Sequence, residues 1–317
     1  MFLATARAAL RAYGIDAAAL TSINNGFNTT YRVTTPDGTR SALRLGTNSL
    51  RDRAGLQAEL AWISALATDT DISVAPPCVT PEGNPFVEVW CAPIKKTIPA
   101  TLSPWLPGRL VGEKPTQPQL IAMGETIARL HLHTEHWQLP ADAVFPSLTA
   151  ILMNSADHIG TSEHPALTAA LRDRIERALE RIRPVYAELA RTQPTQPIHA
   201  DIHGYNVLWH DRRLAVIDFD DAGIGWPVQD LAICAYHLRT LPGAEAHVWA
   251  GYQRLRPAPA VSPADIEAQL MARGILLLND VLSSTVPADR AFVPTYAERL
   301  GRRLDCFLET GTFQMLM

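Results

Sequence analysis

The chain has 317 residues, of which 47 % are hydrophobic and 19 % are charged, a length and composition typical of a folded protein with room for two domains or lobes. Its formal net charge of −4 provides no basic surface for nucleic acid, and no run of about 18 apolar residues predicts a membrane span. The four cysteines fit no CxxC pattern, which favours reduced thiols. We therefore expect a cytoplasmic protein without nucleic-acid or membrane partners.

The first hundred residues predict a small antiparallel sheet with two helices. Segment 2–13 carries two arginines inside an apolar pattern, which favours an amphipathic helix over a signal peptide. Segment 53–67 places Leu56, Leu60 and Ile63 at helical spacing. Strands are expected where β-branched or alternating residues recur, over 30–35, 41–45, 85–92 and 98–106. Two prolines and a glycine within Ser103–Arg109 indicate a hinge.

Beyond the hinge the pattern becomes helical. One predicted helix has an apolar face formed by Leu120, Met123, Ile127 and Leu130. A second has the face Leu167, Leu171, Ile175, Leu179 and Ile182, and Pro184 is expected to kink or end it. Helices dominate again from Val228, with Ser262 as an N-cap before Pro263. The histidines at His131–His136 are interpreted as a solvated cap at a helix end.

Polar groups concentrate in segment 198–223, which interrupts the helices with two short strands joined by a charged turn. Asn206 is expected to begin one strand and Asp218 to end the next, so antiparallel pairing would bring both to the same end of the hairpin. An amide oxygen and a carboxylate there are ligands suited to Mg²⁺. Asp201 lies on the preceding loop, where its carboxylate would reach a substrate hydroxyl. The arrangement is what phosphoryl transfer needs.

The spacing His199-x-Asp201 with Asn206 five residues later, followed by Asp218 in an Ile-Asp-Phe triplet, resembles the aminoglycoside phosphotransferase and choline kinase-like family, which are small-molecule relatives of the protein kinases. The resemblance implies an α+β, bilobal protein kinase-like fold with a small antiparallel-sheet N-lobe and a larger helical C-lobe. The implied parts are the N-lobe at 1–102, the hinge at 103–109 and the C-lobe at 110–317.

The same resemblance implies roles for the polar residues of the hairpin. Asp201 would be the catalytic base, and Asn206 and Asp218 would bind Mg²⁺. Asp220 would assist at the metal or the substrate. Asp230, in the helix that follows, would hold the backbone of the catalytic loop. The implied cofactors are ATP and Mg²⁺.

In the N-lobe, Asn24–Val33 resembles the family's nucleotide-binding loop, which implies that the phosphates lie under Asn25, Gly26, Phe27, Asn28, Thr29 and Thr30. Arg44 stands where kinases carry a phosphate-anchoring lysine, and Glu59 stands at the position of its helix partner. Arginine is bulkier than lysine and binds in a bidentate manner, so the phosphates would be bound with a different geometry. The hinge backbone at Leu102, Ser103 and Trp105 would bind adenine.

The acceptor stays open at this point. The resemblance admits an aminoglycoside-like antibiotic, homoserine, choline or another small alcohol, and also a protein serine or threonine, as in stress-response kinases. The acceptor pocket is expected within 140–165 and 262–300, and the sequence indicates no oligomeric state. Two other classes stay open. One is a pseudokinase, which Arg44 and the single-glycine loop favour, and the other is a metallohydrolase with His199, Asp201 and His203 as ligands.

Overall fold

A computed structural model describes residues 2–16, 18–25, 27–49 and 51–316 of the chain. These residues form two compact units. One unit ends at Gly108 and also includes Leu139–Val144, and the other comprises Arg109–Gln138 together with the chain from Phe145 onward. The division falls inside the predicted hinge. The α+β class, with a small antiparallel sheet and a larger helical part, is confirmed.

The structure differs from the predicted division at Leu139–Val144, which belongs to the first unit rather than to the helical one. The Val144 N–H donates to the Ala54 carbonyl at 3.1 Å, and the Gln57 amide donates to the Asp142 carboxylate at 3.2 Å. These bonds attach the segment to a helix of the first unit, a long-range contact that local sequence pattern does not encode.

The described residues of the first unit form one antiparallel sheet with two α-helices. Its elements are α1 (Leu3–Ala12), β1 (Ala19–Asn25), β2 (Thr29–Thr34), β3 (Arg40–Leu45), α2 (Arg53–Asp69), β4 (Val87–Cys91) and β5 (Lys96–Pro104). The strands lie in the order β1-β2-β3-β5-β4, and α1 packs its apolar face into the same core as the sheet. The predicted strands and helices are present. The last strand ends at Pro104 instead of Leu106.

The second unit is mostly helical. Its elements are β6 (Arg109–Leu110), α3 (Gln117–Thr134), α4 (His158–Thr161), α5 (Ala169–Thr192), β7 (Gln196–Ile198), β8 (Val207–His210), β9 (Arg213–Val216), β10 (Gly223–Gly225), α6 (Pro227–Leu238), α7 (Ala244–Gln253), α8 (Pro263–Ser283) and α9 (Pro287–Thr310). Strands β6, β8 and β9 form one small sheet, and β7 pairs with β10. Helices α5, α6, α8 and α9 share one apolar core.

The predicted helical faces are buried, apart from Leu179, which is half-buried. Leu167 is buried but precedes α5, and α5 does not end at Pro184 but continues to Thr192. The helix continues because Ile182 and Leu189, on either side of the proline, both bury their side chains. The predicted N-cap is present, since the Asp265 N–H donates to the Ser262 hydroxyl at 3.2 Å. No described helix combines the length and the apolar character that crossing a bilayer requires.

Candidate active site

The polar hairpin of the second unit is formed by β8 and β9, which pair antiparallel with Val207 opposite Val216. They are joined by Asp211 and Arg212, whose φ angles of 46° and 61° match the mirror-image turn that favours tight hairpins. At the open end, the Ile217 N–H donates to the Asn206 carbonyl at 3.0 Å. Asn206 and the residue after Ile217 are therefore neighbours.

The strands are shorter than predicted, because β8 begins after Asn206 and β9 ends before Asp218. Asp218 has a φ of 64°, a left-handed conformation that takes the chain out of the ladder. The two residues still lie at the same end of the hairpin, as the antiparallel pairing predicts.

The Asp201 carboxylate is held by three donors. Asn206 Nδ2 donates to Oδ2 at 2.6 Å and to the Asp201 carbonyl at 2.9 Å. His203 Nε2 lies 3.3 Å from Oδ2, and Arg273 Nη2 donates to Oδ1 at 2.7 Å. Burial acts to raise the pKa of Asp201, but the His203 hydrogen bond and the Arg273 charge outweigh it, so the pKa lies below its ordinary value. The carboxylate is therefore ionised and fixed in orientation.

Arg273 is the contact that the sequence did not predict. Its position in α8 is 72 residues from Asp201, within the range 262–300 in which part of the acceptor pocket is expected. No local motif marks it, because its partner is set by the packing of α8 and not by spacing along the chain.

The backbone of the loop that carries Asp201 is held by Asp230, as predicted. Asp230 Oδ2 accepts the His199 N–H at 3.1 Å, and Oδ1 accepts the Ala200 N–H at 2.6 Å. Ala200 has a φ of 63°, a conformation that a residue with a Cβ rarely adopts without support. The buried carboxylate supplies that support, and it fixes the position of the following Asp201.

A second buried residue orients Asp230. His131 Nε2 lies 3.0 Å from Asp230 Oδ2, and its Nδ1 lies 3.0 Å from the Tyr252 hydroxyl. The prediction of a solvated cap is therefore wrong for His131, which is fully buried, although His136 is exposed. The local sequence around His131 does not reveal its burial, because its partners lie 99 and 121 residues away.

The two histidines flanking Asp201 act as hydrogen-bond donors through Nε2. His199 Nδ1 accepts the Asp201 N–H at 3.3 Å, so its Nε2 carries the proton and donates to the Ile217 carbonyl at 3.2 Å. His203 Nδ1 accepts the Tyr205 N–H at 3.1 Å, so its Nε2 also carries a proton. Burial lowers the pKa of His199, which keeps this ring neutral.

These tautomers argue against the metallohydrolase alternative. A histidine binds a metal through an unprotonated nitrogen, and in both rings that nitrogen already accepts a backbone N–H. Asp201, His203 and His237 bring potential ligand atoms within 4.8 Å of one another. The His203 atom that faces Asp201 is nonetheless a donor, and His237 stacks on the His203 ring.

Carboxylates gather directly after β9. Asp218 is exposed and Asp220 is half-buried. Asp221 is exposed as a residue, yet desolvation of its carboxyl group, followed by the charges of Asp201, Asp220 and Asp218, raises the pKa of Asp221 to about 7. Such a concentration of negative charge fits a divalent cation.

The residues present also fit Mg²⁺ chemically, because carboxylate and amide oxygens are its preferred protein ligands. Asn206 Nδ2 faces Asp201, so its Oδ1 faces the opposite side of the amide group. Asn206, Asp218 and Asp220 are thus the residues that would hold the ion.

In the first unit, the predicted pair of Arg44 and Glu59 is present, with Nη1 and Oε1 3.0 Å apart. Glu59 is 1 % exposed. A residue that the sequence did not indicate joins them, since Arg51 Nε lies 3.2 Å from Glu59 Oε2. Two cations thus share a single buried carboxylate. Arg44 and Arg51 also line one small pocket of this unit.

The predicted phosphate loop is described in part. Gly26 lies outside the described residues, and so does the side chain of Asn25, whose backbone ends β1 opposite Thr29. The Thr29 side chain is in the interior, 2 % exposed, with its hydroxyl 3.5 Å from that of Thr47. Its hydroxyl therefore anchors the loop.

The other loop residues lie nearer the surface. The Phe27 carbonyl accepts Asn48 Nδ2 at 2.7 Å and the Thr47 hydroxyl at 3.3 Å, while its ring is 49 % exposed. Asn28 and Thr30 are half-buried. The described contacts of this loop thus come mainly from the segment that follows β3.

Part of the predicted hinge backbone is already engaged. The Leu102 carbonyl accepts the Cys78 N–H at 2.7 Å, and the Trp105 N–H donates to the Arg40 carbonyl at 3.1 Å. Ser103 pairs with Ala42 in the sheet. Because the Leu102 carbonyl and the Trp105 N–H already have partners, fewer backbone groups remain for hydrogen bonds to adenine. The adenine assignment stays a prediction.

Comparison with known proteins gives one family and one fold. The model of the family described as "Phosphotransferase enzyme family" matches residues 19–261. No curated protein matches the sequence.

Several solved structures are similar over nearly the whole chain. A microcompartment-associated aminopropanol kinase has 23 % identity and a TM-score of 0.80, over 99 % of both chains. An amicoumacin kinase solved with AMP-PNP and Ca²⁺ has 20 % identity and a TM-score of 0.68, over 89 % of this chain and 88 % of that one. A choline/ethanolamine kinase family protein from Mesorhizobium loti has 17 % identity and a TM-score of 0.64, over 97 % and 93 %. The fold predicted from the sequence is confirmed.

Proposed function

This chain belongs to the phosphotransferase enzyme family, and from that premise we propose that it transfers the γ-phosphate of ATP to a hydroxyl group of a small molecule. The observation that carries the proposal is the Asp201 carboxylate, which Asn206, His203 and Arg273 fix in orientation and whose charge acts on Asp221 of the acidic segment after β9. Such a site has a hydrogen-bond acceptor for the incoming alcohol and a set of oxygen ligands for a cation.

In this proposal Asp201 orients the acceptor hydroxyl and takes its proton. Asn206, Asp218 and Asp220 hold Mg²⁺, which when bound neutralises charge on the phosphates. Arg44, oriented by Glu59 at 3.0 Å, contacts the α- and β-phosphates. Catalysis then comes mainly from positioning and charge neutralisation.

The loop that follows β1 supplies further phosphate contacts in the proposal. These come from the backbone and side chains of Asn25 to Thr30, although the Thr29 hydroxyl is occupied in the interior. Adenine lies against the backbone near Ser103. The structurally similar amicoumacin kinase was solved with AMP-PNP and Ca²⁺, which supports the use of a nucleotide with a divalent cation.

We further infer that the acceptor is an alcohol that carries an amine. Arg273 neutralises Asp201, but Asp221 and Asp280 add negative charge near the same pair. Asp280 is half-buried, and burial raises its pKa. An ammonium group on the acceptor would offset this charge. The names of two similar structures, an aminopropanol kinase and a choline/ethanolamine kinase family protein, support this substrate class.

A paired-substrate assay tests both statements. ADP release from Mg·ATP is measured with alcohols that differ only in the amine, such as 1-amino-2-propanol against 1,2-propanediol and ethanolamine against ethylene glycol. Choline, homoserine, an aminoglycoside and a serine peptide complete the panel. We expect kcat/KM to be at least about tenfold higher for the amine of each pair, since a charge-assisted hydrogen bond contributes about 1.5–3 kcal/mol.

The outcomes separate the alternatives. Equal rates for amine and diol would reject the amine-bearing acceptor and keep the kinase. Phosphorylation of the serine peptide alone would indicate a protein kinase. Mg·ATP binding without ADP release for any acceptor would indicate a pseudokinase and reject the proposed function.

A further inference from the structure

The two oxygens of the Asp201 carboxylate have donors of different origin. Oδ2 is contacted by Asn206 and His203, which lie within five residues of Asp201 in sequence. Oδ1 is contacted by Arg273 Nη2 at 2.7 Å, from helix α8. Asn206 is also assigned to the cation, so its position depends on the metal. Among the described residues, Arg273 donates its hydrogen bond to Asp201.

Arg273 is buried in a way that general packing does not explain. Its side chain is 7 % exposed, and burying a guanidinium is unfavourable unless carboxylates compensate. Asp201 supplies a direct contact, and Asp221 and Asp280 add their charges at longer range. Arg273 Nε has no hydrogen-bond partner among the described residues. The guanidinium therefore leaves its Nε–H without a described acceptor while its Nη2 donates to Asp201.

Helix α8 also holds the segment in which the acceptor pocket is expected. Asn279 Oδ1 accepts the His158 N–H at 2.8 Å and the Ile159 N–H at 3.2 Å, and the Ser155 hydroxyl lies 3.4 Å from Asp280 Oδ1. Asp280 is seven residues after Arg273, so both lie on the same face of the helix. One rigid element thus joins the candidate base to the loop at 155–159.

We propose that Arg273 is a positioning residue for the acceptor hydroxyl: it fixes the Asp201 carboxylate through Oδ1 and ties that orientation to α8. This inference rests on the proposed function. A carboxylate oxygen accepts more than one hydrogen bond, so Oδ1 retains a lone pair for the alcohol while Arg273 determines where that lone pair points. Without Arg273, Asn206 and His203 hold Oδ2 only, and the carboxylate rotates about that anchor.

The test compares two buried arginines of the same unit. Arg273→Met removes the contact with Asp201, and Arg273→Lys retains a charge with one donor direction. Arg303→Met is the control, because Arg303 is 3 % exposed and donates to the Tyr236 hydroxyl at 3.0 Å and the Leu316 carbonyl at 3.1 Å. Folding is checked by the melting temperature, and kcat and both KM values are measured with the best amino alcohol.

Arg273→Met should lower kcat about 100-fold, the order of loss expected from a misplaced catalytic group, and leave KM for ATP within about threefold. Arg273→Lys should recover about tenfold of that loss, since lysine restores the charge but not the fork geometry. Arg303→Met should lower the melting temperature yet leave kcat of the folded enzyme within about threefold. If Arg303→Met lowered kcat as much as Arg273→Met does, the effect would come from general packing, and the positioning role would be overturned.

A double-mutant cycle isolates the route through Asp201. In an Asp201→Asn background, Arg273→Met should cost less than about threefold in the residual kcat, because a residue that acts through Asp201 has little left to position. A full 100-fold additional loss would overturn the inference. If the wild-type chain phosphorylates no alcohol, the proposed function and the positioning role both fail. If it does and Arg273→Met retains the wild-type kcat, only the positioning role fails.

Discussion

The loop that carries Asp201 and the loop between β1 and β2 are held in different ways. In the first, buried side chains distant in sequence fix both the backbone and the carboxylate, through Asp230 and Arg273. In the second, Thr47 and Asn48 donate to the carbonyl of the exposed Phe27, and the Thr47 hydroxyl also lies 3.5 Å from that of Thr29. The first arrangement maintains one geometry for the Asp201 carboxylate, whereas the second leaves Phe27 about half exposed.

This difference predicts where substitutions act most strongly. Buried polar contacts without alternatives are costly to break, whereas surface loops with few buried partners open and reclose at lower free energy. Changes in the loop of the second unit should therefore abolish turnover or folding, and changes in the loop of the first unit should alter nucleotide affinity modestly.

Asp201→Asn should have the largest effect. It removes the proton acceptor but preserves the shape of the side chain, so kcat should fall about 10²–10⁴-fold, with the Kd for Mg·ATP within about threefold. ADP release and calorimetry measure the two quantities. Unchanged turnover would refute the assignment of Asp201 as the base. It would also remove the expectation that changes in this loop affect turnover more than changes in the loop between β1 and β2.

Asp218→Ala should abolish Mg²⁺-dependent nucleotide binding. Loss of partners outside the ligand shell already weakens metal binding about 10–100-fold, so loss of a ligand should weaken Mg·ATP binding at least about 100-fold. The matched control is Asp211→Asn in the turn of the same hairpin, where the carboxylate is 86 % exposed. Calorimetry that finds normal Mg·ATP affinity for Asp218→Ala would contradict the metal role.

Asp230→Ala tests the buried support of the loop that carries Asp201. It leaves the His199 and Ala200 N–H groups and His131 without their acceptor, which should lower the free energy of unfolding by about 3–5 kcal/mol. Urea denaturation measures the change, and the residual folded enzyme should also lose activity. A loss below about 1 kcal/mol would show that the loop is held by something other than this carboxylate.

Thr47→Val should have the smallest effect. The change is nearly isosteric and removes the hydroxyl that meets the Thr29 hydroxyl and the Phe27 carbonyl. We expect a destabilisation of about 1 kcal/mol and a rise of less than about threefold in KM for ATP. If Thr47→Val instead lowered kcat as much as Asp201→Asn, the contrast between the two loops would be wrong.

Local patterns accounted for most of the elements that carry the site. The apolar repeat of α3, the alternating strands of the first unit and the hairpin of β8 and β9 follow from period and turn chemistry, which act over a few residues. The neighbourhood of Asn206 and Asp218 followed from antiparallel pairing alone. Strand ends were misplaced by one or two residues, because the left-handed turn at Asp218 depends on its surroundings.

The sequence by itself determined the family, the α+β class and the short-range spacing of Asp201, Asn206 and Asp218, because these depend on the order of residues within one hairpin. Only the tertiary structure decided that Arg273 contacts Asp201, that Arg51 joins Arg44 at Glu59 and that His131 is buried against Asp230. Each of these contacts places a charged or polar group in an interior where its partner compensates the lost hydration. That partner is chosen by helix packing across a long stretch of chain, which no local pattern records.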